Sequence, residues 1–314
     1  MEEPILQVVD LNLAYDDKRI IRNCSLEIKE GENLVILGAS GAGKSTLLKA
    51  IAGLSPHQSG EIYFQGEQVV DAFDKLIPGH DKIKLINQDF GLDEYHTVEE
   101  NIRLRLLQYT KEYQRQRLAK MLRLTGLTSF KEQRAKDLSG GQKQRLSMAR
   151  ALADEPELIL LDEPFNQVDF KTKTRLTKHL RSYLKNSKTT MIMVTHNGQE
   201  ALEWGDKIAF IKNGKIKRID AAENFYAKPS SLEEALFFGT VNKMTIENKP
   251  VYFRPGDWKA VKTKKYSLKV KVEVHSSQAL GWFYSHLLKI DGNKIEVYGE
   301  KKLPVSIYIR PLSF

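Results

Sequence analysis

The sequence has almost none of the features that mark secreted or membrane-spanning proteins. Cysteine occurs once, at Cys24, which excludes a disulfide within the chain and fits a reducing compartment. No run of 18 apolar residues occurs, so we expect no transmembrane helix. The opening residues, Met1–Pro4, are acidic and lack an apolar core, so we expect no signal peptide. Internal repeats and low-complexity segments are also absent.

The chain carries a formal net charge of +9 over 314 residues, and much of this excess lies near the carboxyl terminus. Residues 230–314 hold 14 lysines and arginines against 8 aspartates and glutamates, a difference of +6. Such an excess is compatible with nucleic acid, with an anionic membrane surface or with simple solvation, and solvation is the commonest reason. The length suggests two domains. Cys24 lies in a strand-like stretch, so we predict a small core residue rather than a reactive thiol.

The chain is organised around a glycine-rich segment at residues 38–45, which reads GASGAGKS. An apolar stretch at 34–37 precedes it and a helical pattern follows it, which is the context of a phosphate-binding loop. Glycine lets the backbone turn its N–H groups inward, and the amino end of the helix favours an anion. We predict that Lys44 reaches the β- and γ-phosphates of a nucleotide and that the Ser45 hydroxyl ligates Mg²⁺.

A second pair of glycines begins another predicted helix. Ser139 is a candidate N-cap, and Gly140 and Gly141 expose backbone N–H groups at the helix terminus. Residues 137–145 are therefore a second candidate phosphate site.

Polar side chains follow three apolar strands of the predicted sheet. Asp162 and Glu163 end one strand, His196 follows a second and Gln88 follows a third. Wholly apolar strands of this kind are typical of parallel strands buried on both faces. Ligands gather at the carboxyl ends of such strands, so we expect these side chains near the phosphate loop.

The chemistry of these side chains suits phosphoryl transfer, which depends on positioning and on charge stabilisation. Ser45, Asp162 and Gln88 can supply oxygen atoms around Mg²⁺ and its waters, since this ion takes few protein ligands besides substrate phosphates. Glu163 is predicted to accept a proton from the attacking water. His196 is predicted to donate a hydrogen bond to the γ-phosphate.

The residue pattern changes along the chain. Residues 5–28 alternate in short bursts, which predicts an antiparallel sheet ahead of the phosphate loop, and Tyr15 within them is a candidate to stack on adenine. From Thr97 the apolar period becomes helical. From about residue 241 the pattern is all-β, and five short strands predict a small barrel.

The first 240 residues or so resemble the nucleotide-binding domain of ATP-binding cassette (ABC) transporters. Residues 38–45 match the family's Walker A motif, and residues 158–162 match its Walker B motif. Residues 138–142, LSGGQ, match the signature motif, which is highly specific for this family. Gln88 is similar to the glutamine of the family's Q-loop, and Asn166–Asp169 lie where its D-loop lies.

The resemblance implies roles for named residues. Glu163 would be the catalytic carboxylate, with His196 as the switch histidine and Gln88 as the third member of the catalytic set. The residues that would bind ATP are Tyr15, Gly38, Ser40, Gly41, Ala42, Gly43, Lys44, Ser45, Thr46, Ser139, Gly140, Gly141 and Gln142. The residues that would ligate Mg²⁺ are Ser45, Gln88 and Asp162.

The resemblance also implies an α/β P-loop NTPase cassette, with a mixed sheet and a helical subdomain, followed by a small all-β OB-like barrel. The cassette would span residues 1–235, its helical subdomain about 89–153, and the transport-associated barrel 241–314. Two cassettes would face head to tail, each ATP lying between Lys44 of one chain and the signature motif of the other. Because this chain has one cassette, a second nucleotide-binding subunit is required, and we expect a homodimer.

Several stretches are similar to the cassettes of importers for sugars, polyamines, ferric iron and oxyanions. They are residues 88–90, 96–102, 195–202, 223–229, 238–242 and 254–257. Residues 91–95 depart from the aromatic-proline stretch usual in that family. This resemblance implies the ATP-hydrolysing subunit of a solute importer, peripheral to the cytoplasmic face of the membrane. Its partners would be permease subunits and, indirectly, an extracytoplasmic binding protein.

The alternative is a soluble ABC ATPase that acts on nucleic acid or ribosomes through its basic barrel. OB-type barrels bind oligonucleotides by aromatic stacking, and this segment holds aromatic residues. Ribosome-type relatives usually carry two cassettes, and the DNA-repair type has a long coiled coil in the interval where Ser139 of this chain follows Gln88 by only 51 positions. These differences favour transport, so we do not expect nucleic acid as a partner. An exporter cassette is disfavoured by the barrel.

Overall fold

The computed structural model describes residues 3–16, 18–76, 78–87, 90–246, 249–290, 293–312 and 314, which form two compact units. The first, here called the cassette unit, comprises Met1–His196 and Glu203–Ala221. The second, the C-terminal unit, comprises Asn197–Leu202 and Ala222–Phe314. The limits of the two functional domains stay a prediction of the sequence.

The cassette unit contains both strands and helices. Its strands are β1 (Leu6–Tyr15), β2 (Lys18–Ile28), β3 (Asn33–Leu37), β4 (Ser59–Phe64), β5 (Glu67–Gln68), β6 (Ile83–Ile86), β7 (Leu158–Asp162), β8 (Thr190–Thr195), β9 (Lys207–Lys212) and β10 (Lys215–Ala221). The helices of the chain are α1 (Lys44–Ile51), α2 (Val98–Arg103), α3 (Lys111–Thr125), α4 (Gly140–Ala153), α5 (Phe170–Ser187), α6 (Gly198–Trp204), α7 (Ala222–Ala227) and α8 (Leu232–Phe237). Within the described residues, no helix is long and apolar enough to span a bilayer.

A six-stranded sheet in the order β10-β9-β3-β8-β7-β6 forms the centre of the cassette unit. Its strands from β9 to β6 pair in parallel, and β10 pairs antiparallel with β9. Every residue of β7 and β8 is buried, as the wholly apolar runs predict. Because β3, β6, β7 and β8 run the same way, the residues after their carboxyl ends meet at one edge. The candidate site lies at that edge.

A second sheet in the order β2-β1-β4-β5 is antiparallel throughout, as residues 5–28 predict. Its apolar residues join α1 and the central sheet in a single core. Cys24 pairs with Leu11 in this sheet and is fully buried, so the prediction of a core cysteine is confirmed.

Helices α2, α3 and α4 form the helical segment expected after Thr97. Ser139 is the N-cap of α4, as predicted, and a capping box joins it to Gln142. The other end of α4 is held by buried Arg117 of α3, whose Nε donates to the Ala153 carbonyl at 3.1 Å. The same guanidinium donates to the Tyr183 hydroxyl of α5 at 2.6 Å. The amino end of α4 is therefore capped within the helix itself, and its carboxyl end is tied to α3 and α5.

The C-terminal unit combines α7 and α8 with short antiparallel strands. These are β11 (Asn242–Ile246), β12 (Lys249–Phe253), β13 (Trp258–Lys259), β14 (Leu268–Lys271), β15 (Val274–Ala279), β16 (Tyr284–Ile290), β17 (Asn293–Gly299) and β18 (Ser306–Ile309). They form sheets β11-β12, β13-β18-β14 and β15-β16-β17 around one apolar core. This all-β arrangement is consistent with the expected OB-like domain.

Details of the C-terminal unit differ from the pattern in the sequence. Residues 268–274 alternate like one strand, yet β14 ends at Lys271 and β15 begins at Val274. Two short helices, α7 and α8, lie between the cassette strands and the first strand of this unit. Arg254, which is buried, donates to the Ala235 carbonyl at 3.2 Å and ties α8 to the residue after β12.

Candidate active site

The phosphate loop joins β3 to α1 and relies on glycine at two turns. Gly41 has φ of +77° and Gly43 has φ of +99°, values that favour glycine. A Cβ on Gly43 would also lie 2.8 Å from the side chain of Ile21. The loop is supported from the β9–β10 hairpin, where Gly214 N–H donates to the Ala42 carbonyl at 3.2 Å. The predicted strand, loop and helix are thus all present.

Lys44 is the first residue of α1, and its ammonium lies inside the loop. Nζ donates to the carbonyls of Gly38 at 3.0 Å and Ala39 at 2.9 Å, and the residue is 5 % exposed. Burial lowers the pKa of this ammonium, while the negative charges of Glu163 and Asp162 act to raise it. A buried cation beside a glycine-rich turn is a strong attractor for phosphate.

Ser45 and Asp162 are 117 residues apart in the sequence and are brought together by the fold. Ser45 Oγ donates to Asp162 Oδ1 at 3.0 Å. Burial raises the pKa of the Asp162 carboxyl, and the hydrogen bond from Ser45 opposes that effect. A hydroxyl and a carboxylate oxygen next to a phosphate site are the hard donors that Mg²⁺ prefers, so these two residues fit the ion. Gln88, the third predicted ligand, lies outside the described residues.

Glu163 follows β7 directly and is fixed through both its main chain and its side chain. Its φ is +48°, and its N–H donates to the Val194 carbonyl at 3.1 Å. Its main-chain carbonyl accepts from Gln144 Nε2 at 3.3 Å. One carboxylate oxygen lies 3.1 Å from His196 Nδ1, and the other accepts from Asn166 Nδ2.

The contacts of Glu163 decide its charge. Burial acts to raise its pKa, but the hydrogen bonds from His196 and Asn166, together with electrostatic attraction from His196 and Lys44, outweigh burial, so the pKa lies below its ordinary value. The carboxylate is then ionised at neutral pH, as a general base must be. An ionised partner also requires the His196 tautomer in which Nδ1 carries the proton. His196 and Glu163 are thus brought together as predicted, at the carboxyl ends of β8 and β7.

These residues surround a cavity of about 630 Å³. This volume lies within the usual range of ligand pockets, roughly 300–1,000 Å³. The residues that line it are Lys18, Ile20, Ser40, Gly41, Gly43, Lys44, Ser45, Thr46, Phe90, Gln144, Glu163, Asn166 and Gln167. Much of the predicted ATP site therefore faces one concavity.

The signature residues are not among the described residues that line this cavity. Ser139 Oγ accepts from the N–H of Gln142 at 3.3 Å, and Gln142 Oε1 accepts from the N–H of Ser139 at 2.7 Å. Gly140 and Gly141 pack on Gln167, whose main-chain oxygen would lie 2.7 Å from a Cβ on Gly141. Gly141 is therefore required within this chain by the approach of the segment after Glu163, whereas a Cβ on Gly140 would meet only the side chain of Gln167.

Tyr15, the predicted adenine partner, ends β1 and is 47 % exposed. Its hydroxyl lies 3.0 Å from Ser55 Oγ. It is not among the described residues that line the phosphate cavity, although Lys18 and Ile20 from the neighbouring strand are. The ring is accessible for stacking, and its role stays a prediction.

Two polar contacts to Glu163 were not foreseen from the sequence. Asn166 is predicted only as part of a D-loop-like segment, and Gln144 is not singled out. Gln144 donates to a main-chain carbonyl and leaves no spacing pattern, because such an acceptor exists at every residue, whereas Asn166 donates to the Glu163 side chain. Only the course of the backbone after β7 brings these donors to Glu163.

Comparison with known proteins identifies the cassette. A family model described as ABC transporter matches residues 21–166. The spermidine/putrescine import ATP-binding protein PotA of Bacillus cereus is 36 % identical over 253 residues, which cover 80 % of this chain and 76 % of that protein. This chain belongs to the ABC transporter family. The Fe(3+) ions import ATP-binding protein FbpC of Fusobacterium nucleatum is 33 % identical over 239 residues, covering 76 % of this chain and 63 % of that protein.

A solved structure supports the same assignment. The ATP-binding cassette MJ0796, in a dimeric post-hydrolysis state bound to ADP and Pi, has a TM-score of 0.63 and 31 % identity, covering 69 % of this chain and 98 % of that one. The predicted ABC cassette fold is confirmed, and this ABC protein is an ATP-binding subunit that hydrolyses ATP. The relatives give no support to action on nucleic acid.

Proposed function

We propose that this ABC protein is the motor subunit of a solute importer and acts as a homodimer. Each ATP lies between the phosphate loop of one chain and the signature motif of the other. The observation that carries the proposal is that Gly140 and Gly141, at the start of α4, are not among the described residues that line the phosphate cavity of their own chain. In the proposal, the backbone N–H groups of the signature motif that bind ATP come from a second chain. The dimeric state of the MJ0796 cassette supports this arrangement.

In the proposed reaction, water attacks the γ-phosphorus and the bond to the bridging oxygen breaks. Glu163 accepts the proton of that water, since its carboxylate is held ionised and oriented by His196 and Asn166. Lys44 and the inward N–H groups of the loop stabilise charge on the phosphate oxygens. Ser45, Asp162 and Gln88 would hold Mg²⁺, which would supply further charge neutralisation on the phosphates.

His196 has two ring nitrogens with different tasks in this proposal. Nδ1 is engaged by Glu163, which leaves Nε2 for the γ-phosphate. Since Nδ1 donates to an ionised carboxylate, donation from Nε2 as well requires the imidazolium form.

Tyr15 supplies a ring face to adenine in this proposal, and Ser139 to Gln142 of the second chain complete the site. The protein works at the cytoplasmic face of the membrane against permease subunits, with an extracytoplasmic binding protein acting through them. Import is supported by the names of PotA and FbpC. Both of those proteins are named for small cations, so we propose a small cation as the cargo class.

Uptake by cells tests this proposal. The gene is replaced by a Lys44→Ala variant, and uptake of radiolabelled putrescine and of radiolabelled ferric iron is measured. We expect uptake of one cargo to fall to background, because the ammonium that meets the phosphates is gone. Lys49→Ala, an exposed lysine on the same helix, is the matched control and should leave uptake unchanged. Unchanged uptake of both cations with Lys44→Ala would reject the cargo class, and impaired efflux instead would reject import.

A further inference from the structure

Helix α4 carries a row of polar side chains at intervals of three residues, namely Gln144, Ser147 and Arg150. Residues spaced in this way lie along one side of a helix. Gln144 is 4 % and Ser147 is 6 % exposed, so the row faces inward at its start. Buried polar atoms need partners, and one donor of each of these three side chains has one.

All three side chains donate to main-chain carbonyls of other segments. Gln144 Nε2 donates to the Glu163 carbonyl at 3.3 Å, and Ser147 Oγ donates to the Phe90 carbonyl at 3.0 Å. Arg150 Nη1 donates to the Gly91 carbonyl. Glu163 and Phe90 both line the phosphate cavity. One helix face therefore holds two walls of that cavity.

The three acceptor residues share an uncommon backbone conformation. The φ angle is +48° at Glu163, +56° at Phe90 and +55° at Gly91. A left-handed conformation is unfavourable for residues other than glycine and persists only where the surroundings enforce it. Each of these carbonyls points toward a donor of α4 and accepts its hydrogen bond. The three donors are thus placed to hold these three peptide groups in their left-handed conformation.

Helix α4 also begins with the signature motif, so it joins that motif to both walls. Gly140 and Gly141 at its first turn pack on Gln167, four residues after Glu163. The segment from Glu163 to Gln167 is therefore held by α4 at two places. A displacement of the first turn of α4 would be transmitted to Glu163 through both contacts.

We propose that Gln144, Ser147 and Arg150 are positioning residues for ATP hydrolysis. They hold the catalytic carboxylate and the main chain of Phe90 and Gly91 in place against the signature helix, so that the signature turn and Glu163 move together. This inference rests on the proposed role of Glu163 as general base. None of the three residues is required to contact nucleotide for this function.

Steady-state hydrolysis by the purified full-length protein tests the inference. The variants are Ser147→Ala, Arg150→Met and Gln144→Leu, each of which removes a donor. Gln116→Leu on α3 is the matched control, since Gln116 Nε2 donates only to the exposed Glu112 side chain, at 2.8 Å, among its described contacts. We expect kcat to fall about tenfold in each test variant while KM for ATP changes less than twofold. Arg150→Lys keeps a donor and should restore most of kcat.

The double variant Ser147→Ala with Arg150→Met supplies an independent readout. Phe90 and Gly91 are neighbours, so releasing one carbonyl releases the other, and the two losses should be less than additive. A role in packing alone would lower the melting temperature and leave kcat per ATP-binding site at the value of Gln116→Leu. That result, or a raised KM with unchanged kcat, would overturn the proposal.

Two controls keep the outcome interpretable. If Gln144→Leu does not fold, the Arg150→Met and Arg150→Lys pair decides, because Arg150 is only partly buried. Glu163→Gln is assayed in parallel. Turnover by Glu163→Gln equal to the parent would show that the base assignment has failed, whereas loss of turnover there with normal turnover in the three test variants would show that the positioning role alone has failed.

Discussion

Some of the residues and contacts of the candidate site could be predicted from the sequence, and others could not. Lys44, Ser45 and Asp162 were predictable because phosphate chemistry demands their types next to a glycine-rich turn or at the end of an apolar strand. Their contacts agree, with Ser45 Oγ 3.0 Å from Asp162. Gln144 and Asn166 were not predictable as partners of Glu163, because an amide side chain suits many positions. Their function comes from the path of the backbone around them.

Cys24 gives a prediction about pH at the residue scale. Burial raises the pKa of its thiol to about 12, whereas an unfolded chain presents a thiol with a pKa of about 8.5. Keeping the buried thiol neutral therefore contributes to the free energy of unfolding. That contribution is complete below about pH 8.5 and is lost as the pH rises toward the pKa of the thiol in the folded protein. At pH 8 a maleimide should label the thiol only in urea. Labelling of the native protein at the rate of the denatured chain would contradict the burial of Cys24.

At the scale of elements, the buried strands and the capped helices followed from local patterns. The wholly apolar run of β7 and the Ser139 cap of α4 are examples. The division between β14 and β15 was not predictable, because alternation continues through residues 268–274 although the pairing partner changes from β18 to β16. Trp282, an aromatic residue of the predicted barrel, is 93 % exposed and precedes β16, which begins at Tyr284.

The β9–β10 hairpin shows how an element supports the site from a distance. Its turn residues Asn213 and Gly214 have φ of +51° and +74°, as the Asn-Gly pair predicts. The contact of Gly214 with the phosphate loop was not predictable from that pair. Besides donating to Ala42, Gly214 accepts from the Arg22 N–H at 2.9 Å. The turn is therefore enclosed by the phosphate loop and β2.

Replacing Gly214 tests this enclosure. A Cβ on Gly214 would collide with the Ile20 carbonyl, so Gly214→Ala should lower the free energy of unfolding by more than strain at positive φ alone, about 3 kcal/mol against about 1. Gly66→Ala is the matched control, because its φ is +79° and nothing lies within 4 Å of the added carbon. Urea denaturation measures both. Equal losses would show that the hairpin turn has room for a side chain.

At the scale of the whole molecule, the chain consists of two units with separate cores. The described residues assigned to the ATP site lie in the cassette unit. The composition shift after residue 240 indicates a second domain, while the structure groups α7 and α8 with the C-terminal unit through contacts such as that of Arg254 with Ala235. A buried arginine that donates to a helix carbonyl cannot be foreseen from composition.

Shortening the chain tests the independence of the cassette. A protein of residues 1–240 should bind ATP with a Kd within threefold of the full chain, because none of the predicted site residues is removed. Isothermal titration calorimetry measures this directly. A melting curve of the same protein is the control for folding. A Kd more than tenfold weaker, or a protein that does not fold, would contradict a self-sufficient cassette.

The oligomeric state of Glu163→Gln with ATP tests most directly whether each ATP site is shared between the phosphate loop of one chain and the signature motif of another. Removing the base should lower turnover at least a hundredfold while leaving Lys44, the phosphate loop and the signature motif to close on ATP. Sedimentation with Mg²⁺ and ATP should then show a stable dimer, and Lys44→Ala added to the same variant should return it to monomer. A Glu163→Gln protein that binds ATP yet stays monomeric, or one that still hydrolyses ATP at the parent rate, would contradict the account.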